Sequence, residues 1–428
     1  MSAPWAATMV TLAVLLWTHE SSAADDVSLP PWGDAALPAW AQSVQVRDPE
    51  QPVRLAPDPT APRRGSASRE VLLPLFGARI GPGCHRPWLH IGPQAWICQD
   101  DVTLSGSPPM AANRTVVGSG PDGLPFRYYF VATDGSLAYE RIEDTDVGEP
   151  TMSLEPGFAV AIVEERRLGR EIYGRTNRGL WVPMRELGAA RSFAFHGADI
   201  TTVVDGVIPL AWVVVDHARL YSRRGQMFVA NGKRNGRFEQ VGFHEHVDGF
   251  AGSYARIDDD NWIRTRDIRH PTLAPPPPEP GILLGERWID IELSSQTLLA
   301  YEGTRPVFAT IVSTGKGKRK GHPFETPKGV HRVWVKLLSS VMDNLENEEA
   351  SRYYRIEDVP YVQYFSKGVG LHAAFWHRSF GHVRSHGCVN LAPLDAKRLF
   401  SWTGPRMPAG WIAVLPTRYD RGTIVRVR

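Results

Sequence analysis

The sequence predicts a mainly β protein, with small upstream β units followed by one C-terminal β domain. Three observations carry this expectation. A tryptophan-centred pattern recurs three times before residue 270. Short apolar runs bounded by Gly and Pro turns precede each copy and fill the C-terminal third. In that third only Pro393 to Trp402 reads as a helix, with proline at an early position and Leu394, Lys397 and Arg398 at helical spacing.

From the N-terminus, Ala6 to Trp17 form an apolar run, and Ser21-Ser22-Ala23-Ala24 offers small residues for cleavage before Asp25-Asp26. Residues 1–24 therefore read as a signal peptide, too short for a comfortable membrane span. Residues 25–68, rich in Pro, Asp and Arg, read as a disordered or extended tether. Residues 69–271 form the β region of two or three units. The stretches Val71 to Ile80, Phe158 to Val163 and Ala211 to Val215 are its expected strands.

The repeat begins at Trp96, Trp181 and Trp262, spaced by 85 and 81 residues. Each copy fits Trp-[Ile/Val]-x-x-x-[Asp/Glu]-aliphatic, with Asp101, Glu186 and Asp267 at the acidic position. A tryptophan at such a place anchors a small β core; lining a groove for wall polymer or peptide is the alternative. The pattern resembles bacterial SH3-like domains, small β-barrels with such a Trp in a strand near the end.

Residues 272–280 contain four consecutive prolines, Pro275 to Pro278, and read as a stiff polyproline spacer. The last domain is expected over 281–417, with 418–428 as a tail. Its first strand is Trp288 to Leu293, apolar and acidic in alternation, as if one face were buried. Thr297 to Tyr301, Arg305 to Ser313, Val330 to Leu337 and Val359 to Phe365 supply further strands. Gly315 to Gly321 is a basic hairpin tip that could steer acidic substrates.

With 48 basic and 46 acidic residues, the chain lacks the concentrated charge of a nucleic-acid binder. It has three cysteines. Cys84 and Cys98 are candidates for a disulfide or for two separate buried thiols. Cys388 is then a free thiol in an exported chain, a liability unless it works.

Cys388 follows Ser385-His386-Gly387, and His372, His377 and His382 lie just upstream. A thiol needs a base to become a thiolate near neutral pH, and histidine is the usual one. His372 and His386 are the candidate bases. Gly387 removes a side chain where a carbonyl must approach, and the Cys388 N–H can face a developing oxyanion. The same histidines with Cys388 would suffice to ligate zinc, but their spacing fits no helical metalloprotease motif.

Histidine before cysteine, then Ser385-His386-Gly387-Cys388-Val389-Asn390, resembles the L,D-transpeptidases of bacterial cell walls. The resemblance extends through Val312-Ser313-Thr314-Gly315, Thr326-Pro327-Lys328-Gly329, Val359-Pro360-Tyr361 and Leu371-His372. It implies a mainly β fold overall: SH3-like units, then an L,D-transpeptidase-type β-sandwich with one or two helices. It implies a cysteine acyltransferase acting on peptidoglycan stem peptides, exported to the periplasm or cell wall. Cys388 would be the nucleophile, His372 the base and His386 a polarising neighbour. Ser385 would set the turn and Asn390 would fix backbone or substrate. Tyr361 and Trp376 would line the cleft or sit in the core, and His377 and His382 would ride an exposed excursion. The family usually has Gly after the base; Ala373 stands there and still offers its carbonyl. No cofactor or metal is called for, and the sequence carries no signal for oligomeric state. The alternatives are a wall-binding protein with a weakly active or inactive catalytic domain, and a zinc-dependent wall hydrolase.

Overall fold

The computed structural model describes residues 34–110, 121–191, 193–279, 282, 285–319, 322–343 and 354–428. The expected signal segment lies outside them, as does the expected tether up to residue 33. Strands dominate, and among the described residues the α-helices are Asp144–Val147 and Pro393–Trp402.

The C-terminal domain is built on a sheet ordered Ala198–Asp199, Arg305–Ile311, Thr297–Glu302, Arg287–Glu292, Ile424–Val427, Gly329–Arg332. Its opposed sheet contains Val335–Asp343, Arg355–Ser366, Val369–Ala373 and Val389–Leu391. Ile289, Ile291, Leu298, Phe308 and Val425 pack with Leu371, Ala373, Val389, Leu391 and the helix residues Leu399 and Phe400. This is the sandwich core.

The other face of the first sheet is not solvated, contrary to the expected alternation. Trp288, Leu299, Tyr301 and Ile311 pack there with the upstream residues Phe193, Phe195, Ile208 and Trp212. The charge that reads as an outward residue, Asp290, is only 1% exposed. It survives burial because Arg426 and Arg428 meet its two oxygens at 2.6 and 2.8 Å. Those arginines belong to the segment expected as a tail. Ile424–Val427 is instead an inner strand, parallel to Arg287–Glu292 and antiparallel to Gly329–Arg332.

The proline segment is not a free spacer either. Arg426 Nη1 donates to the Pro275 carbonyl at 2.5 Å, and Ala274 N–H to the Tyr301 hydroxyl at 3.2 Å. Polyproline backbone leaves its carbonyls unpaired, so arginines at a sheet edge can hold it.

From Asp34 on, the expected tether is folded. It carries the strands Ser43–Val46, Glu50–Arg54 and Arg63–Ser68. Arg63–Ser68 pairs antiparallel with Trp411–Val414 of the C-terminal domain. Gly65 permits this: a Cβ there would lie 2.2 Å from the Ala413 carbonyl oxygen and 2.6 Å from the Trp411 ring. Composition misled here because Pro and Arg mark both disordered chain and edge strands.

The tryptophan repeat corresponds to a repeated local structure. Trp181–Pro183 and Trp262–Arg264 each run into a 3-10 turn and then a short strand, Leu187–Ala189 and Ile268–Arg269. Trp96 in Ala95–Cys98 likewise precedes Val102–Ser105. Trp181 and Trp262 are buried, whereas Trp96 is half-exposed and stacks on His90 at 4.5 Å. An arginine lies over each ring: Arg79, Arg166 and Arg223, at 5.8, 5.1 and 5.5 Å. The upstream sheets do not close on themselves in pairing order among the described residues. Cys84 and Cys98 are disulfide-bonded.

Candidate active site

Cys388 stands at the start of the short strand Val389–Leu391, which runs parallel to Val369–Ala373. The register sets Leu371 against Val389 and His372 against Asn390. Leu371 and Val389 face the sandwich core, so His372 and Asn390 share the opposite face. Cys388 precedes Asn390 by two residues and projects toward that face. Its thiol lies against the start of the histidine strand: it donates to Gly368 O at 3.8 Å and accepts the Gly370 N–H.

The turn before Cys388 is held from several sides. Gly387 has φ +126°, which L side chains rarely adopt. Ser385 Oγ accepts the Gly387 N–H at 3.1 Å and donates to the Cys388 carbonyl. Thr326 Oγ1 donates to Gly387 O at 2.8 Å and accepts Gly315 N–H at 3.0 Å. Thr314 O receives the amides of Arg384 and Ser385 at 2.9 and 3.0 Å. Ser385 thus bridges the two ends of the turn. Thr314 and Thr326 therefore hold this turn, and they lie in the Val312-Ser313-Thr314-Gly315 and Thr326-Pro327-Lys328-Gly329 stretches that carry the family resemblance.

His372 is 2% exposed. Its Nδ1–H donates to the Ala373 carbonyl at 3.0 Å. That bond fixes the neutral tautomer and leaves Nε2 with its lone pair, as a general base requires. Ala373 has an ordinary negative φ and lies in the core, so no glycine is needed for the carbonyl to reach the ring. Burial lowers the His372 pKa to about 4, against a favourable backbone bond. Burial also raises the Cys388 thiol, while the Gly370 N–H pulls it back. Imidazole and thiol are therefore both neutral at pH 7.

Trp376, half-buried, lies nearly parallel to His372 with ring centres 5.7 Å apart. It covers the imidazole and still reaches the surface, as a cleft wall would. Tyr361 does not. It is buried in the sandwich core, and its hydroxyl donates to Gly123 O of the upstream region at 2.8 Å.

The excursion between His372 and Cys388, expected to be exposed, is docked. His377 is 8% exposed. Its Nδ1 accepts the Ser379 N–H at 3.1 Å, so the neutral ring carries its proton on Nε2. Nε2 lies 2.8 Å from the Asn390 amide. A donating Nε2–H requires the amide oxygen there, which also gives a partner to Asn390 Oδ1, otherwise buried without one. Burial, aided by the Arg384 and His372 charges, lowers the His377 pKa to about 3. His382 Nε2 meets Val214 O at 3.2 Å. Phe380 is fully buried and packs near Phe193, Phe195 and Phe238. Nothing in the sequence distance between these segments signals that docking.

His386 is exposed, edge-on to Phe324 at 4.5 Å. Partial desolvation beside Phe324 and the Lys316 charge lower its pKa. The histidines thus diverge: one is bound to Ala373, one to Ser379 and Asn390, one to Val214, and one faces outward. This is a poor cage for zinc.

Residues 286–427 match the family model of the L,D-transpeptidase catalytic domain, YkuD. Among solved structures, an L,D-transpeptidase mutant from Enterococcus faecium is 23% identical, over 33% of this chain and 50% of that one, with TM-score 0.25. The L,D-transpeptidase from Xylanimonas cellulosilytica is 22% identical, over 36% and 64%, with TM-score 0.25. That from Mycobacterium smegmatis is 15% identical, over 63% and 99%, with TM-score 0.26. The chain spans half of the first and less than two thirds of the second. No curated protein matches it.

Proposed function

We propose, starting from the L,D-transpeptidase catalytic domain that residues 286–427 carry, that this protein is a cysteine acyltransferase of peptidoglycan. The observation that carries the reading is the Nδ1–H to Ala373 carbonyl bond, which leaves Nε2 of His372 free on the strand beside Cys388.

The donor is a tetrapeptide stem. Nε2 of His372 takes the thiol proton as Sγ attacks the carbonyl between the third residue, a diamino acid, and the fourth, D-Ala. The Cys388 N–H faces the developing oxyanion. Collapse breaks the C–N bond, and the imidazolium returns its proton to the departing D-Ala amine. An amine of a second stem, or another acceptor, attacks the thioester and gives its proton to His372; Sγ leaves and is reprotonated. Because thiol and imidazole are both neutral at rest, proton transfer accompanies attack. A neutral thiol also resists oxidation in an exported protein. His386 acts at the rim, orienting or polarising the incoming stem, and Asn390 with His377 fixes the floor. The tryptophan units are SH3-like modules that hold wall polymer, and residues 1–24 direct export.

The test is a purified disaccharide tetrapeptide. Wild-type protein should release D-Ala and carry the acyl group on Cys388, and C388A should do neither. Absence of D-Ala release by folded wild-type protein would overturn the reading.

A further inference from the structure

A cleft of about 380 Å³ lies away from Cys388, at the other end of the helix Pro393–Trp402. Ten residues of helix, about 15 Å, separate its Trp402 wall from the start of that helix. The cleft is at the lower end of the range for small-ligand sites, about 300–1,000 Å³. Its frame is built, not incidental. Thr423 N–H donates to Gly404 O at 3.1 Å and Gly404 N–H to Thr423 Oγ1 at 2.8 Å, joining its two lining loops. Lys336, fully buried, donates to Phe400 O and Thr403 O at 2.5 and 3.0 Å and closes the helix end behind the wall.

The charge of the lining is lopsided. Its two carboxylates are neutralised from outside, Asp420 by Arg64 at 2.9 Å and Glu286 by Arg332 at 2.6 Å. Arg287 is paired with Glu302 at 3.3 Å. Arg406, Arg418 and Arg421 have no carboxylate partner among the described residues. Three unpaired guanidinium groups around one cleft repel each other and call for an anion. Two aromatic rings stand with them. Tyr419 is 71% exposed with Arg418 lying over it at 4.5 Å, and Trp402 is half-buried with Arg287 lying over it at 5.2 Å, so each ring has one face left for a ligand. An exposed ring of this kind offers a flat apolar face and a polar edge, the surface that a sugar ring covers.

We propose that this cleft binds an anionic saccharide, a sugar ring bearing a carboxylate or a phosphate. The guanidinium groups take the acid group, and Tyr419 and Trp402 take the ring. The site is independent of the thiol: C388A retains it, so its failure and that of the transpeptidase reading are separable.

The test is calorimetric titration of the full chain with four probes: glucuronic acid, glucose 6-phosphate, glucose and inorganic phosphate. One or both charged sugars should bind at least tenfold more tightly than glucose and inorganic phosphate, and the preferred one names the acid group. R418Q/R421Q should weaken that binding at least tenfold. Y419A should weaken the sugar and leave inorganic phosphate unchanged. These residues are exposed, so both variants should melt like wild type. The proposal is overturned if neither charged sugar binds, if inorganic phosphate binds as tightly as they do, or if neither variant changes their affinity.

Discussion

The two ends of the excursion from His372 to Cys388 are held in different ways. The thiol end, residues 384–388, is tied down within the catalytic domain by Thr314 and Thr326. The part after His372 is held by the catalytic domain, through Gly381 N–H to Val312 O at 2.8 Å and Ser313 Oγ to Ser379 O at 2.9 Å, and by upstream units as well. Tyr128 packs on Phe375 at 4.1 Å, and Arg269 Nε donates to Gly381 O at 2.8 Å. Arg237 Nη1 donates to Arg378 O at 3.2 Å. A catalytic domain taken alone would keep its thiol turn and the partners of its histidines, Trp376 and Asn390, but lose the outer packing on Phe375 and Phe380. The upstream region thus helps hold the segment that covers His372 and His377.

The first way to break this picture is His372→Ala, which should cut acyl transfer by about 10²- to 10⁴-fold, measured as D-Ala release. Next is the inner clamp. Thr326→Val removes two hydrogen bonds from the thiol turn, costs about 1 kcal/mol for each, and should slow alkylation of Cys388 by up to about 10²-fold through misplacement. The outer clamp should behave differently. Phe380→Ala should cost about 3–5 kcal/mol in a denaturant melt. It should also move the acid limb of the pH–rate profile upward, toward the ordinary imidazole value, because Phe380 packs on His377 at 5.0 Å and anchors the segment whose Trp376 covers His372. If Thr326→Val and Phe380→Ala gave the same pattern, the division into two clamps would fail.

The smallest expected effect is on pH-dependent stability. His372 and His377 have pKa values lowered from 6.5 to about 4 and about 3. The unfolded chain therefore binds more protons below pH 6.5. Their contribution is intact above pH 6.5 and is lost as pH falls through about 4 and then about 3. Asp395 opposes them. Burial raises it from 3.8 to about 6, so its contribution is present below 3.8 and lost as pH rises through about 6. Two groups outweigh one, and melting temperature should fall between pH 6.5 and 4. A flat profile there would mean that the imidazoles are not buried as described.

What was legible in the sequence was local. The Ser-His-Gly-Cys run, the helix Pro393–Trp402 and the tryptophan repeat each depend on neighbours a few residues away, and each has a counterpart in the fold. What was not legible depends on distant chain. Ile424–Val427 reads as a tail until Arg287–Glu292 lies beside it. Asp290 reads as exposed until Arg426 and Arg428 reach it. His377 reads as a loop residue until the phenylalanines of 193–238 cover the segment that carries it. Tyr361 reads equally as cleft or core until Gly123 receives its hydroxyl.

The central claim is that Cys388 is an acylable nucleophile served by His372. The most direct measurement is the intact mass of the folded full chain after incubation with a carbapenem, which the family resemblance implies as an acylating agent. The account predicts one added drug mass, mapped to Cys388, formed much more slowly in His372→Ala and absent in Cys388→Ala. No adduct on wild-type protein, or an adduct that persists in Cys388→Ala, would contradict it.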